Sequence, residues 1–155
     1  MNAESIIKGR TAGLIVSLMF QEGGYSVLRY GYEGVPEALV QIGSLKKQKV
    51  LELLASTPHF VITDKKKGDI FLVSVKFQGD DKSGRSIAQG FTELAKFWPY
   101  SELIIVRPKE PFFFSVNHTQ RETKIKHTPL KEVGTFKISA ELIRKYGQIA
   151  RKFLA

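Results

Sequence analysis

Apolar residues along the chain fall into two rhythms, and their alternation outlines the elements. From Glu4 to Glu22 they recur at Ile6, Ile7, Leu14, Ile15, Leu18 and Met19, a helical spacing. Gly23-Gly24 stops that pattern, since glycine readily takes the conformations that end a helix. Tyr25 to Tyr32 (YSVLRYGY) is rich in β-branched and aromatic residues and predicts a first strand. The helical rhythm returns from Val35 to Leu54, with Leu39, Val40, Val50, Leu51, Leu53 and Leu54 around a Gly43-Ser44 break. It predicts two short helices inserted after the first strand.

Phe60 to Thr63 and Ile70 to Lys76 read as two strong strands. The charged turn Asp64 to Asp69, containing Gly68, predicts that they form a hairpin. Lys65-Lys66-Lys67 sits at its tip, where a run of ammonium groups is read first as a solvated turn. Arg85 to Phe97 is an amphipathic helix ending before Pro99, and Glu102 to Arg107 is a strand stopped by Pro108. Phe112 to Asn117 makes a further strand. The polar, basic stretch His118 to Lys131 is either a hairpin arm or a loop, and Ser139 is positioned to cap a final helix from Ala140 to Leu154. That helix carries Leu142, Ile143, Tyr146, Ile149, Ala150 and Phe153 among basic residues, which predicts docking on the sheet, with dimerisation as the alternative.

A length of 155 residues suits one domain with a real core, here a core over about 4–107 and an extension over about 108–155. Runs such as Leu14 to Phe20 fall far short of the roughly 20 apolar residues of a membrane helix, so no membrane span is expected. Glu4 precedes only a modest apolar stretch without a cleavage pattern, and a cytoplasmic location is the expectation. The absence of cysteine excludes disulfides, thiolate metal sites and thiol nucleophiles. A formal charge of +9 makes a polyanion the leading partner class, because excess Lys and Arg attract phosphates and speed encounter with them. The excess is uneven: residues 100–155 hold 11 Lys and Arg against 5 Asp and Glu, so the C-terminal third is the more basic surface.

The order helix, strand, hairpin, helix, strand also carries local sequence of a recognisable kind. Lys8-Gly9-Arg10-Thr11-Ala12-Gly13, then Gly24-Tyr25-Ser26-Val27 and Gly31-Tyr32-Glu33, resembles the opening of Holliday-junction resolvases and related restriction-like nucleases. Thr57-Pro58-His59-Phe60-Val61-Ile62 followed by Val73-Ser74-Val75-Lys76 is similar to the PD…(D/E)xK signature of that superfamily. The resemblance spans about Lys8 to Val106. It implies an α/β fold with a restriction-endonuclease-like α-β-β-β-α-β core, a mixed sheet flanked by helices, a helical insertion after strand one and extra C-terminal strands and helix. It also implies a DNA partner and a homodimer.

Such a nuclease site needs carboxylates on adjacent strand ends to hold Mg²⁺ or Mn²⁺, which polarises the scissile phosphate and generates hydroxide. Its lysine supports the charge that develops on the phosphate. Here the departures fall on the acids. The first-helix glutamate of the pattern lands on Gly13, the PD aspartate on His59 and the (D/E) position on Ser74, leaving only Lys76 as the superfamily has it. Loss of three acids predicts an oxygen-poor site that holds Mg²⁺ badly, and therefore a degenerate member with lost or reduced hydrolysis.

Some restriction enzymes use SxK and take the missing acid from the following helix. At that stretch this chain has Ala88 and Gln89, with Glu93 one turn further along the same face. A rebuilt site of Glu33, His59, Gln89 or Glu93, and Lys76 is thus the alternative, that of an active metal-dependent nuclease, in which an imidazole favours a transition metal over Mg²⁺. A third alternative is an accessory subunit whose partner is a protein. Taken singly, His59 reads as a strand-edge histidine bonded to backbone, Ser74 as a small residue facing a crowded interior, and Lys76 as a strand-edge charge. His118 and His127 have no metal-ligand spacing. The expected phosphate contacts are Lys8 and Arg10 opening the first helix, Lys82 and Arg85 opening the helix after the SxK strand, and Arg121, Lys124 and Lys126 in the basic arm.

Overall fold

The computed structural model describes residues 3–31, 49, 53–54, 56–79, 91–92, 94–117 and 126–155. Helix α1 (Ala3–Glu22) leads into a six-stranded mixed sheet of β1 (Tyr25–Arg29), β2 (Phe60–Asp64), β3 (Ile70–Phe77), β4 (Glu102–Val106), β5 (Phe113–Asn117) and β6 (Lys126–Pro129). The strands lie side by side in chain order. Every neighbouring pair is antiparallel except β3–β4. A parallel pair cannot be closed by a tight turn and needs a crossover, which here includes helical residues 91–92 and 94–97. A short 3₁₀ turn (Leu130–Glu132) follows β6, and helix α2 (Ala140–Leu154) ends the chain.

Local chemistry explains the sharpest boundaries. Gly24, at φ 92°, makes the left-handed turn out of α1, a conformation that costs a residue with Cβ much more than glycine. In the β2–β3 hairpin Asp64 Oδ1 accepts from the backbone N–H groups of Lys66 and Lys67, and Gly68 supplies the positive φ of 75°. Lys65, Lys66 and Lys67 are all exposed, as expected of a solvated tip. Ser139 Oγ accepts from Leu142 N–H at 3.2 Å, the cap expected for the last helix. The basic arm resolves into β6 only over its last part, and residues 118–125 lie outside the described residues, as does nearly all of the predicted helical insertion over Val35 to Leu54.

The side-chain alternation of the strands divides the molecule into two layers. On one face Val73, Val75, Ile104, Val106 and Phe113 meet Ala12, Ile15, Val16, Met19 and Phe20 of α1 in the main core. The ring of Phe20 sits edge-on to Tyr25 and Phe136, an arrangement favoured by the aromatic quadrupole. Helix α2 packs against α1, with Tyr146, Ala150 and Leu154 buried. Gly147 lets α2 approach, because a Cβ there would lie 2.2 Å from Cδ2 of Phe112. Glu22, at the end of α1, accepts from Lys145 Nζ at 2.6 Å and from the Tyr146 hydroxyl at 2.6 Å. Those bonds hold the Glu22 carboxyl below its usual range and push Tyr146 up to about 12. On the opposite face Phe91 and Leu94 of the crossover helix cover Leu103, Ile105 and Val116 in a second, smaller core.

One expectation about α1 changes in detail. The apolar set read from the sequence is split between two sides: Ile15 and Met19 are buried, whereas Ile7, Leu14 and Leu18 are 63%, 55% and 43% exposed. The packed side is completed by Ala12, Gly13 and Val16, small residues that let the helix lie close to the sheet.

Candidate nucleic-acid interface

The strand directions bring the C-terminal ends of β1, β3 and β4 to one edge of the sheet, together with the start of β2. Lys76 stands near the end of β3, half-buried, paired with Ile105 of β4. Because Ile105 belongs to the smaller core, Lys76 projects to the crossover-helix side of the sheet, as does the buried Ser74, which pairs with Leu103.

His59 immediately precedes β2. Its Nδ1 accepts from the backbone N–H of Val75 at 2.8 Å, and its carbonyl accepts from Tyr30 N–H at 2.9 Å. The imidazole therefore completes the β2–β3 ladder at the point where Pro58 turns away and supplies no backbone partner. The same turn presses Pro58 O to 2.8 Å from where a Cβ of Gly31 would stand, which fixes glycine at the end of β1. A nitrogen that accepts a backbone N–H has no lone pair left for a metal, and the proton of the neutral ring belongs on Nε2.

The other predicted site residues divide into those placed and those outside the described residues. Glu33, Gln89 and Glu93 of the rebuilt acidic set lie outside, as do Lys82, Arg85, Arg121 and Lys124. Lys126 is the first residue of β6. Gly13, where the resemblance would place a helix glutamate, is buried on the packed side of α1. Lys8 reaches the same end of the sheet as Lys76, with Nζ 5.7 Å from the ring centroid of Phe77, but on the α1 side. Its ammonium pairs with Glu4 at 2.9 Å, and that hydrogen bond holds the Glu4 carboxyl below its usual range. Arg10 is exposed on α1. Among the described residues no three His, Asp or Glu side chains cluster as a metal would require.

Two features escaped the sequence reading. Arg107, just past β4, follows Ile105 on the crossover-helix side, and its guanidinium carbon lies 4.6 Å from the ring centroid of Phe114 on β5. The Phe114 ring is in turn 6.2 Å from that of His127 on β6. The second is Glu102, buried at the start of β4 and paired with Val73, so that it points to the α1 side. Ser115 donates to it at 3.3 Å, and burial pushes its carboxyl up to about 7 despite that bond. Neither has a local sequence signal, since each is defined by a neighbour on another strand. No membrane-spanning helix occurs among the described residues. No protein-family model matches the chain, and a search of curated proteins finds no match to it.

Proposed function

We propose that this chain is a nuclease-like domain of restriction-endonuclease type that grips nucleic acid, DNA first, through the basic end of its sheet, with hydrolysis lost or much reduced. The observation that carries this reading is His59. At the position where the superfamily pattern has a metal-binding aspartate, a histidine sits with Nδ1 committed to the Val75 N–H, beside Ser74 and the surviving Lys76. Support for the fold comes from the order of α1, three antiparallel strands, a crossover and a parallel fourth strand. Support for the partner comes from the +9 charge.

The test is a gel-shift series with duplex DNA, single-stranded DNA and RNA across salt concentrations, run beside titration of Mg²⁺ and Mn²⁺ and a fluorescent nuclease assay. A steep linear fall of log affinity with log salt is the expected result, since each phosphate contact releases condensed counterions. A flat response or no binding overturns the reading. Metal-dependent cleavage that vanishes in Lys76→Ala would replace it with an active nuclease.

A further inference from the structure

We infer that Arg107 is a pre-organised contact for a phosphodiester oxygen at the C-terminal end of β4, on the same side of the sheet as Lys76; the inference rests on the nucleic-acid reading above and names a residue of that site. Lys76 pairs with Ile105, and Arg107 stands one pleat beyond Ile105 on the same face. Arg107 and Lys76 therefore lie on the same side of the sheet, with the Arg107 side chain reaching over Phe114 of β5.

The guanidinium is held before any ligand arrives. Nε donates to the carbonyl of Pro111 at 3.3 Å and Nη2 to that of Glu110 at 3.2 Å, while the guanidinium carbon lies 4.6 Å from the Phe114 ring centroid. A long side chain usually gives up rotamer freedom on binding, and here the ring and the two carbonyls have already fixed it. Those two bonds use two of the five N–H donors and leave three, including the pair at the end of the fork that suits two oxygens of a phosphate. Among the described residues no carboxylate pairs with Arg107, so its charge is available to a phosphate. His127, exposed on β6 with its ring 6.2 Å from Phe114, extends the platform toward the basic arm. An arginine held over an aromatic ring keeps its charge and can offer its fork to a backbone phosphate.

The experiment compares wild type, Arg107→Gln and Arg107→Lys in binding a fluorescein-labelled DNA duplex between low and moderate salt, with thermal melts of each protein. Arg107→Gln is expected to weaken binding several-fold and to reduce the log–log salt slope by about 0.9, the loss of one phosphate contact on duplex DNA. Arg107→Lys should keep the slope and still lose affinity, because an ammonium cannot reproduce the fork. If Arg107→Gln melts early because the Glu110–Pro111 loop loosens, Phe114→Leu replaces it; affinity should fall with the slope unchanged. Wild-type affinity and slope in folded Arg107→Gln would overturn this inference and leave the nucleic-acid reading standing. Failure of the wild type to bind duplex DNA, single-stranded DNA or RNA, or Arg107-dependent binding of polyglutamate instead, would overturn both.

Discussion

Val73, Val75 and Phe77 turn toward α1 from the same strand that sends Ser74 and Lys76 to the opposite side. The first side is closed by two helices and is apolar almost throughout, with Glu102 and Ser115 as a buried polar pair. The second is covered by the crossover helix over β4 and β5, while its end near β3 carries Lys76, Arg107 and the His59 ladder bond. This strand thus gives Val73, Val75 and Phe77 to the main core and places Ser74 and Lys76 on the other side. In this arrangement the side chains of one face can change without loosening the other, because alternation keeps the two sets out of contact.

If that division holds, substitutions should separate by face. Phe20→Ala removes a fully buried ring from the α1 side and is expected to cost about 3–5 kcal/mol in urea melts; a cost near zero would mean that this face is not the core. Glu102 tests the same face through pH. Its carboxyl is raised to about 7 in the folded chain against 4.5 as its ordinary value, so the native state holds a proton that the unfolded state has lost. The stability this contributes is complete below about pH 4.5 and is lost as pH rises through about 7. Glu102→Gln should flatten that fall and raise stability at pH 8, by at most about 3 kcal/mol. An unchanged pH profile in the Gln variant would show that Glu102 is solvated.

Smaller effects are expected on the other side. His59→Ala takes the acceptor from the Val75 N–H and should cost about 1–3 kcal/mol, the penalty of an unsatisfied donor near the interior. Such a loss, without change in Mn²⁺ binding, assigns the imidazole to the ladder; weakened Mn²⁺ binding at full stability would assign it to a metal instead. Ser74→Ala should be the mildest, within about 0.5 kcal/mol, since it removes one hydroxyl and leaves the packing intact. A large loss there would break the comparison by making the polar face structural.

Much of this was legible along the chain. The strands from Phe60, Ile70, Glu102 and Phe112 appeared within a residue or two of their predicted bounds, and Ser139 caps its helix as its position implied. Those features depend on neighbours a few residues away, and sequence records them directly. α1 was legible as a helix but not in its packed side, because Leu14 and Leu18 are as apolar as Ile15 and Met19 and only the sheet chooses between them. Of the candidate site, Lys76, Ser74 and His59 were read as candidates from their order along the chain, whereas Arg107 was passed over as the end of a strand.

The sequence by itself determined an α/β chain, the hairpin with its lysine tip, the capped final helix and the basic excess. Only the tertiary structure decided that His59 closes a ladder, that Glu102 is buried with a displaced proton, and that Arg107 rests on Phe114 beside the strand of Lys76. The physical reason is the range of the interactions. Periodicity and capping are set within a turn or two of the chain, but a hydrogen bond across strands, a desolvated carboxyl and a stacked guanidinium exist only once distant segments are brought into register.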